Sequence, residues 1–243
     1  MDFVIDYDFH HKSTILMDPT TLSNKRYRKD GYLKRALPEL KNHFSEQSPL
    51  TSLKVKSCAV VGSSSKLLDK EFGEEISNHD YIIRFNKAPI VGYERHVGNR
   101  TDARLLGRNW IFQEKDEIMI HRYNSRKYMH VDISNDINKD LYAFNILFMD
   151  VCNNNLKNFS KKRGTPSSGF MGVMMAISIC SNISLYGFWN PETDSEKEYH
   201  YYPDSSDNGK KKGTVGPHNF SEERNFYEYI IKNYLKMNLK IRE

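Results

Sequence analysis

Residues 58–68 read CAVVGSSSKLL: an apolar run ends at a glycine, three serines follow, and the chain then turns amphipathic. Strand, glycine-bearing turn and helix, in that order, open many nucleotide-binding α/β domains. Two familiar versions of the turn are excluded. There is no GxxxxGK[ST], so no lysine is set to hold a β,γ-phosphate; there is no GxGxxG, so a dinucleotide pyrophosphate lacks its close-approach glycines. Two readings remain open. The turn is an ordinary strand-to-helix connection, or its N–H groups and the hydroxyls of Ser63 to Ser65 meet a small anion or sugar at a helix N-terminus.

The stretch heads a β-α-β pattern. KLLDKEFGEEI (66–76) reads as a short helix interrupted by Gly73, and YIIRFN (81–86) as a second strand. ARLLG (103–107), EIMIHR (117–122) and ILFMD (146–150) are short apolar runs closed by polar or charged residues and read as strands. PSSGFMGVMMAISIC (166–180) reads as a turn and an apolar helix, and ISLYGFW (183–189) as a buried strand. SEERNFYEYIIKNYLKM (221–237) is an amphipathic helix, with Glu222 and Glu223 at its positive end. Strands alternating with helices predict an α/β fold with a mainly parallel central sheet flanked by helices. Residues 1–56 are polar and without a sustained period, so they are expected to form an irregular arm on a body spanning 57–243.

A length of 243 residues with 38% hydrophobic content suffices for one sizeable core. The net charge of +5 suits an anionic ligand but does not require one, and the short basic runs at 161–163 and 210–212 do not resemble a nucleic-acid-binding tail. No stretch approaches the roughly 18–20 apolar residues of a membrane span, and the N-terminus lacks a basic-then-apolar signal pattern, so the chain reads as soluble. Cys58, Cys152 and Cys180 have no zinc-type spacing. Four glycosylation sequons, at Asn99, Asn158, Asn182 and Asn219, carry little weight in so Asn- and Ser-rich a chain.

A metal-dependent transferase acting on a nucleotide diphosphate sugar places a DxD pair at a strand end. The matching triplet, Asp6-Tyr7-Asp8, precedes the whole α/β region and is rejected as a metal site. If a nucleotide binds, a ligand with one phosphate, held by neutral donors and histidine, fits better. Asn86 closes a strand just before Pro89, where an amide reads a ligand edge or simply forms a turn. PSSG (166–169) makes a second helix N-terminus, for which capping by Ser167 and Ser168 is a sufficient reason. His200-Tyr201-Tyr202 and Pro217-His218-Asn219 flank a lysine-bearing loop. A histidine at a helix start suits proton acceptance from a hydroxyl, with Glu223 able to orient the ring; a surface histidine beside an N-cap is the plain alternative.

Taken together these motifs resemble the eukaryotic-type sialyltransferases and their four sialylmotifs. The large motif is similar to residues 58–108, the small motif to 166–188, the third to His200-Tyr201-Tyr202, and the very small motif to His218 through Glu223. No such resemblance is legible in residues 1–56. The resemblance implies a single-domain Rossmann-like glycosyltransferase, a GT-A-like variant, that moves sialic acid from CMP-sialic acid to a glycan hydroxyl, with inversion and without metal or other cofactor. It implies that Ser63, Asn86, Ser167, Ser168 and Gly169 contact the CMP donor, that His200 hydrogen-bonds the departing phosphate, and that His218 is the general base with Glu223 beside it. It further implies a Cys58–Cys180 disulfide and a Golgi lumen; the lack of an anchor or signal leaves a trimmed domain or a naturally soluble, viral or divergent member. Two positions depart from the family pattern, the Ser63–Ser65 triplet and His96, where aspartate is usual. Rival readings are transfer of Kdo or a related acid from its CMP donor, and a non-catalytic CMP-sugar or glycan-binding protein; an NAD-dependent oxidoreductase fits least.

Overall fold

The computed structural model describes residues 48–50, 53–107, 116–121, 142–160, 162, 164–190, 194, 198–204, 218–234 and 238–243. Asp6, Asp8, Pro217, most of the 108–165 connection and the loop at 205–217 lie outside them.

The strands are β1 (Val55–Val61), β2 (Tyr81–Phe85), β3 (Ala103–Leu106), β4 (Ile118–His121), β5 (Tyr142–Ala143), β6 (Cys180–Tyr186) and β7 (Asn238–Arg242). They form one sheet in the order β5-β4-β3-β2-β1-β6-β7, and every pairing is parallel. β1 begins two residues ahead of the expected domain start, and Leu50 is buried in the core. The α-helices among the described residues are α1 (Gly73–Ser77), α2 (Glu94–Val97), α3 (Ile146–Phe159), α4 (Ser168–Ile179) and α5 (Phe220–Asn233).

The sheet is covered on both faces, as parallel strands require. On one side α4 lies against β1, β2 and β3, with α3 and α5 packed against it. Its apolar residues run around the whole circumference, which is the pattern of a helix with no solvent face. On the other side Leu67, Ile76, Val97 and Tyr201 meet Ala59, Val61 and Ile82 of the central strands.

Two local expectations are corrected. ILFMD is the first part of α3 rather than a strand: Asn145 caps it by accepting from the Leu147 N–H, and buried Phe148, Cys152 and Leu156 repeat every four residues. The helix expected over 66–76, interrupted by Gly73, is a 3-10 turn at Ser65–Asp69 followed by α1; the break falls ahead of Gly73, which starts the second piece.

Cys58 on β1 and Cys180 at the start of β6 form a disulfide with their Cα atoms 6.0 Å apart, and Cys152 is buried outside any disulfide. Among the described residues no helix is long and apolar enough to cross a membrane.

Candidate active site

The chain order places β2 to β5 on one flank of β1, and β6 and β7 on the other. Between β1 and β6 the order reverses, and in open α/β sheets the crevice beyond the carboxyl ends of the strands at such a point is where ligands bind. A cleft lies there, with about 810 Å³ of atom-free space opening to solvent. Its floor is formed by Gly62 after β1, Asn86 after β2 and Gly187 after β6.

The floor is tight. The Gly62 N–H donates to the Tyr186 carbonyl at 2.8 Å, and a Cβ at Gly62 would lie 2.4 Å from the Gly187 carbonyl oxygen. Gly187 itself has φ 64, a left-handed conformation in which a side chain is strained. The glycine of the opening motif is thus required by the approach of two strand ends.

The three serines have separate duties. Ser64 Oγ accepts from the Lys66 N–H and caps the 3-10 turn, while Ser65 Oγ donates to the Glu198 carbonyl at 2.6 Å. The Ser63 carbonyl accepts from the Tyr201 N–H, so the turn is tied to the His200-Tyr201-Tyr202 segment. Ser63 lines the cleft, and its hydroxyl makes no hydrogen bond among the described residues.

Asn86 has φ 48, and its Oδ1 accepts from the Gly107 N–H at 2.8 Å. With the oxygen occupied, its Nδ2 is the group left for the cleft, and it can only donate.

At the head of α4, Ser167 Oγ accepts from the Phe170 N–H, which makes Ser167 an N-cap. Glu223, buried on α5, closes the arrangement: its Oε1 accepts the Ser167 N–H at 2.7 Å and its Oε2 the Ser167 hydroxyl at 2.6 Å. Glu223 was expected beside the His218 ring; in the structure both of its oxygens accept from Ser167, two donors at a helix N-terminus that satisfy a buried carboxylate. The Ser168 hydroxyl and the N–H groups of Ser168 and Gly169 have no partner among the described residues and border the cleft.

His218 stands at the cleft edge just before α5, with Nδ1 2.8 Å from the Thr165 carbonyl oxygen. A carbonyl only accepts, so Nδ1 carries the proton and Nε2 is the basic atom of the neutral ring. Asn219 caps α5, its Oδ1 accepting from the Glu222 N–H. Hydrogen bonds from Lys162 and Ser160 hold the Glu222 carboxyl below its usual range. His200 is not among the lining residues. Its neighbour Tyr199 is, while the His200 ring stacks on Tyr202 with Nδ1 3.7 Å from Asp204.

Several lining residues carried no signal in the sequence. Trp189 meets Phe220 edgewise and Tyr199 meets it at a tilt, and the three make an aromatic wall beside His218. Arg224 supplies a cation; burial opposes its charge, but hydrogen bonds to Glu228 and Glu243 prevail and raise its pKa. Tyr227, fully enclosed, has its hydroxyl pushed far above the usual value by burial and by the nearby Glu223. His96, one of the departures from the family pattern, places Nδ1 2.8 Å from the Lys70 carbonyl, outside the cleft. No group of three or more His, Cys, Asp or Glu among the described residues is placed to hold a metal ion.

Comparison with known proteins adds independent findings. A family model described as glycosyltransferase family 29 (sialyltransferase) matches residues 8–131 and 111–234, so the match reaches into the arm where no motif is legible. The chain is 29% identical over 209 residues to CMP-N-acetylneuraminate-beta-galactosamide-alpha-2,3-sialyltransferase 1 of Mus musculus, covering 76% of this chain and 58% of that protein. It is 31% identical over 171 residues to beta-galactoside alpha-2,6-sialyltransferase 2 of Danio rerio, covering 55% of this chain and 32% of that one. The chain thus spans less than two thirds of the length of these curated relatives. A crystal structure of a mammalian sialyltransferase superposes with a TM-score of 0.71 at 21% identity, over 94% of this chain and 89% of that one, which shows a shared fold.

Proposed function

The chain belongs to glycosyltransferase family 29, the sialyltransferases, and from that premise we propose that it transfers sialic acid from CMP-sialic acid to a hydroxyl of a galactose-containing glycan. One observation carries the reading: His218, with Nδ1 bound to the Thr165 carbonyl and Nε2 its basic atom, stands at the edge of the same cleft as Ser63, Asn86, Ser168 and Gly169.

In this reading His218 Nε2 takes the proton of the acceptor hydroxyl as that oxygen attacks the anomeric carbon. The bond to the CMP phosphate breaks on the opposite face, the anomeric centre inverts, and the transition state has oxocarbenium character. Negative charge grows on the phosphate. The Ser63 and Ser168 hydroxyls, the α4 N-terminal N–H groups and the Asn86 amide are the donors proposed to meet it or the adjoining nucleotide, and a fixed set of such donors substitutes for a cation. His200 keeps its proposed contact to the departing phosphate on the strength of its motif and its place beside Tyr199. Arg224 suits the donor's anionic groups, and the wall of Trp189, Tyr199 and Phe220 suits the apolar face of an acceptor sugar. A Golgi-type lumen is the proposed compartment, consistent with the disulfide.

The test combines purified chain with CMP-sialic acid and a panel of galactose-terminated acceptors, with and without EDTA, and reads products by mass spectrometry. Sialylated product at an EDTA-insensitive rate is expected. His218→Ala is expected to lower turnover by about 10² to 10⁴ while CMP binding persists. Unchanged turnover in that variant removes His218 as the base; neither transfer nor donor hydrolysis by the wild type removes the function.

A further inference from the structure

Arg104 is a cation in the middle of a parallel sheet, on β3, and its side chain is 4% exposed. A guanidinium in that position is costly unless its donors are taken. They are taken in a specific division. Nε and Nη2 form a fork on Glu117, at 2.5 Å to Oε2 and 2.8 Å to Oε1. Nη1 reaches into the turn after β2, donating to the Asn86 carbonyl at 3.0 Å and the Ala88 carbonyl at 2.9 Å.

The grip falls on the residue of the cleft floor with unusual backbone geometry. Asn86, at φ 48, is a non-glycine in the left-handed region and is held there from outside. Its N–H donates to the Leu105 carbonyl at 2.9 Å, its side-chain oxygen accepts from the Gly107 N–H, and its carbonyl is bound by Arg104. All three restraints come from β3 and the residue following it. What they leave is Nδ2 of Asn86, a residue of the cleft floor; that amide is a donor without a partner among the described residues.

We propose that Arg104, anchored by Glu117, is a positioning residue for nucleotide binding: by gripping the Asn86 and Ala88 carbonyls it fixes Asn86 in its left-handed conformation, so that Nδ2 meets an acceptor oxygen or nitrogen of the donor nucleotide. The proposal rests on the reading of the cleft as a CMP-donor site. Arg104 touches no substrate in it. The Glu117 fork sets the plane of the guanidinium, and a lysine, lacking the fork, keeps the charge without that plane.

The experiment is a double-mutant cycle read by calorimetric titration of CMP into the full chain, with thermal melting recorded for each variant. Arg104→Lys is expected to weaken CMP binding about tenfold in the wild-type background, the size of one lost hydrogen bond to a charged or strongly polar group. In the Asn86→Ala background the same change is expected to have almost no further effect, because the group it positions is gone. Glu117→Gln, which keeps the shape of the anchor, should give a smaller loss with the same dependence on Asn86, and it serves if Arg104→Lys does not fold. A general structural role predicts equal losses in both backgrounds, and that result, or unaltered CMP binding in both variants, overturns the proposal. A wild-type chain that binds no CMP overturns the donor reading of the cleft and the proposal with it; a binding wild type with additive variants overturns the positioning role alone.

Discussion

Replacing Glu223 by glutamine separates two roles for that residue. Its carboxylate, 2% exposed, accepts two short hydrogen bonds from Ser167 at the positive end of α4. A hydrogen bond to a charged acceptor contributes about 1.5–3 kcal/mol against about 1 for a neutral one, and a charge at a helix N-terminus adds about 0.3–1 kcal/mol. Glutamine retains one acceptor and turns an NH2 toward the serine hydroxyl, which must then give up its donor role. Loss of charge assistance at both bonds, less the desolvation relieved on removing a buried carboxylate, leaves a net destabilisation of about 2 kcal/mol. In a chain of this size that lowers the melting temperature by about 4–8 °C. Glu223→Gln in a Ser167→Ala background should cost far less, since the partner is already gone. The assay is thermal or urea denaturation of the four proteins, alongside turnover. A Glu223→Gln protein that melts within about 1 °C of wild type yet loses most of its turnover would refute the clamp and return Glu223 to the His218 ring.

Other expectations are equally open to measurement. Burial pushes the His121 imidazole down to about 4 from an ordinary value of 6.5, so between those pH values the unfolded chain binds more protons and stability falls as the pH drops. His121→Gln should remove about 2–3 kcal/mol of the loss between pH 6.5 and 4 in urea titrations, and an unchanged pH slope would count against a buried neutral ring. Gly62→Ala, which places a Cβ 2.4 Å from the Gly187 carbonyl oxygen, should destabilise by about 1–3 kcal/mol and weaken CMP binding; a variant matching wild type in both melting and titration rejects the close-approach argument. The disulfide spans 122 residues, so the Cys58→Ser/Cys180→Ser double variant should lose about 3–5 kcal/mol in chemical denaturation, and an equal midpoint would show that the sheet alone sets stability.

The β-α-β opening was legible because CAVV in β1 and YIIRF in β2 are short, mostly apolar runs bounded by turn formers, the pattern of strands covered on both faces. ILFMD was misread because four apolar residues closed by an aspartate look alike in a buried strand and in a helix turn; only the spacing of Phe148, Cys152 and Leu156 through NNNLKN distinguishes them. β7 was not recognised since Asn238 and Lys240 are exposed, only Leu239 is buried, and an edge strand of that kind has little hydrophobic signature. At the site, Ser63, Asn86, Ser168 and His218 could be named from strand ends and helix starts. The pairing of Glu223 with Ser167 could not, because the residues are 56 apart and both have adequate local explanations as helix-start residues. The Thr165 carbonyl that sets the His218 tautomer is main chain and has no side-chain signature at all. Arg104 did leave a trace, a charge inside the apolar run ARLL, whose meaning emerges only with Glu117 and the Asn86 turn in place.

The meeting of Gly62 and Gly187 bears on how such a cleft changes over generations of substitution. Where two strand ends abut with no side chain between them, the surface offered to a ligand is main chain, and its amide dipoles keep their orientation whatever residues vary nearby. Replacements at these two positions can only obstruct. The side chains that can be exchanged without parting the strands are those of the wall, Trp189, Tyr199 and Phe220. Substitution along that wall alters what the cleft presents to a ligand, while the main-chain floor between the two strand ends keeps its form.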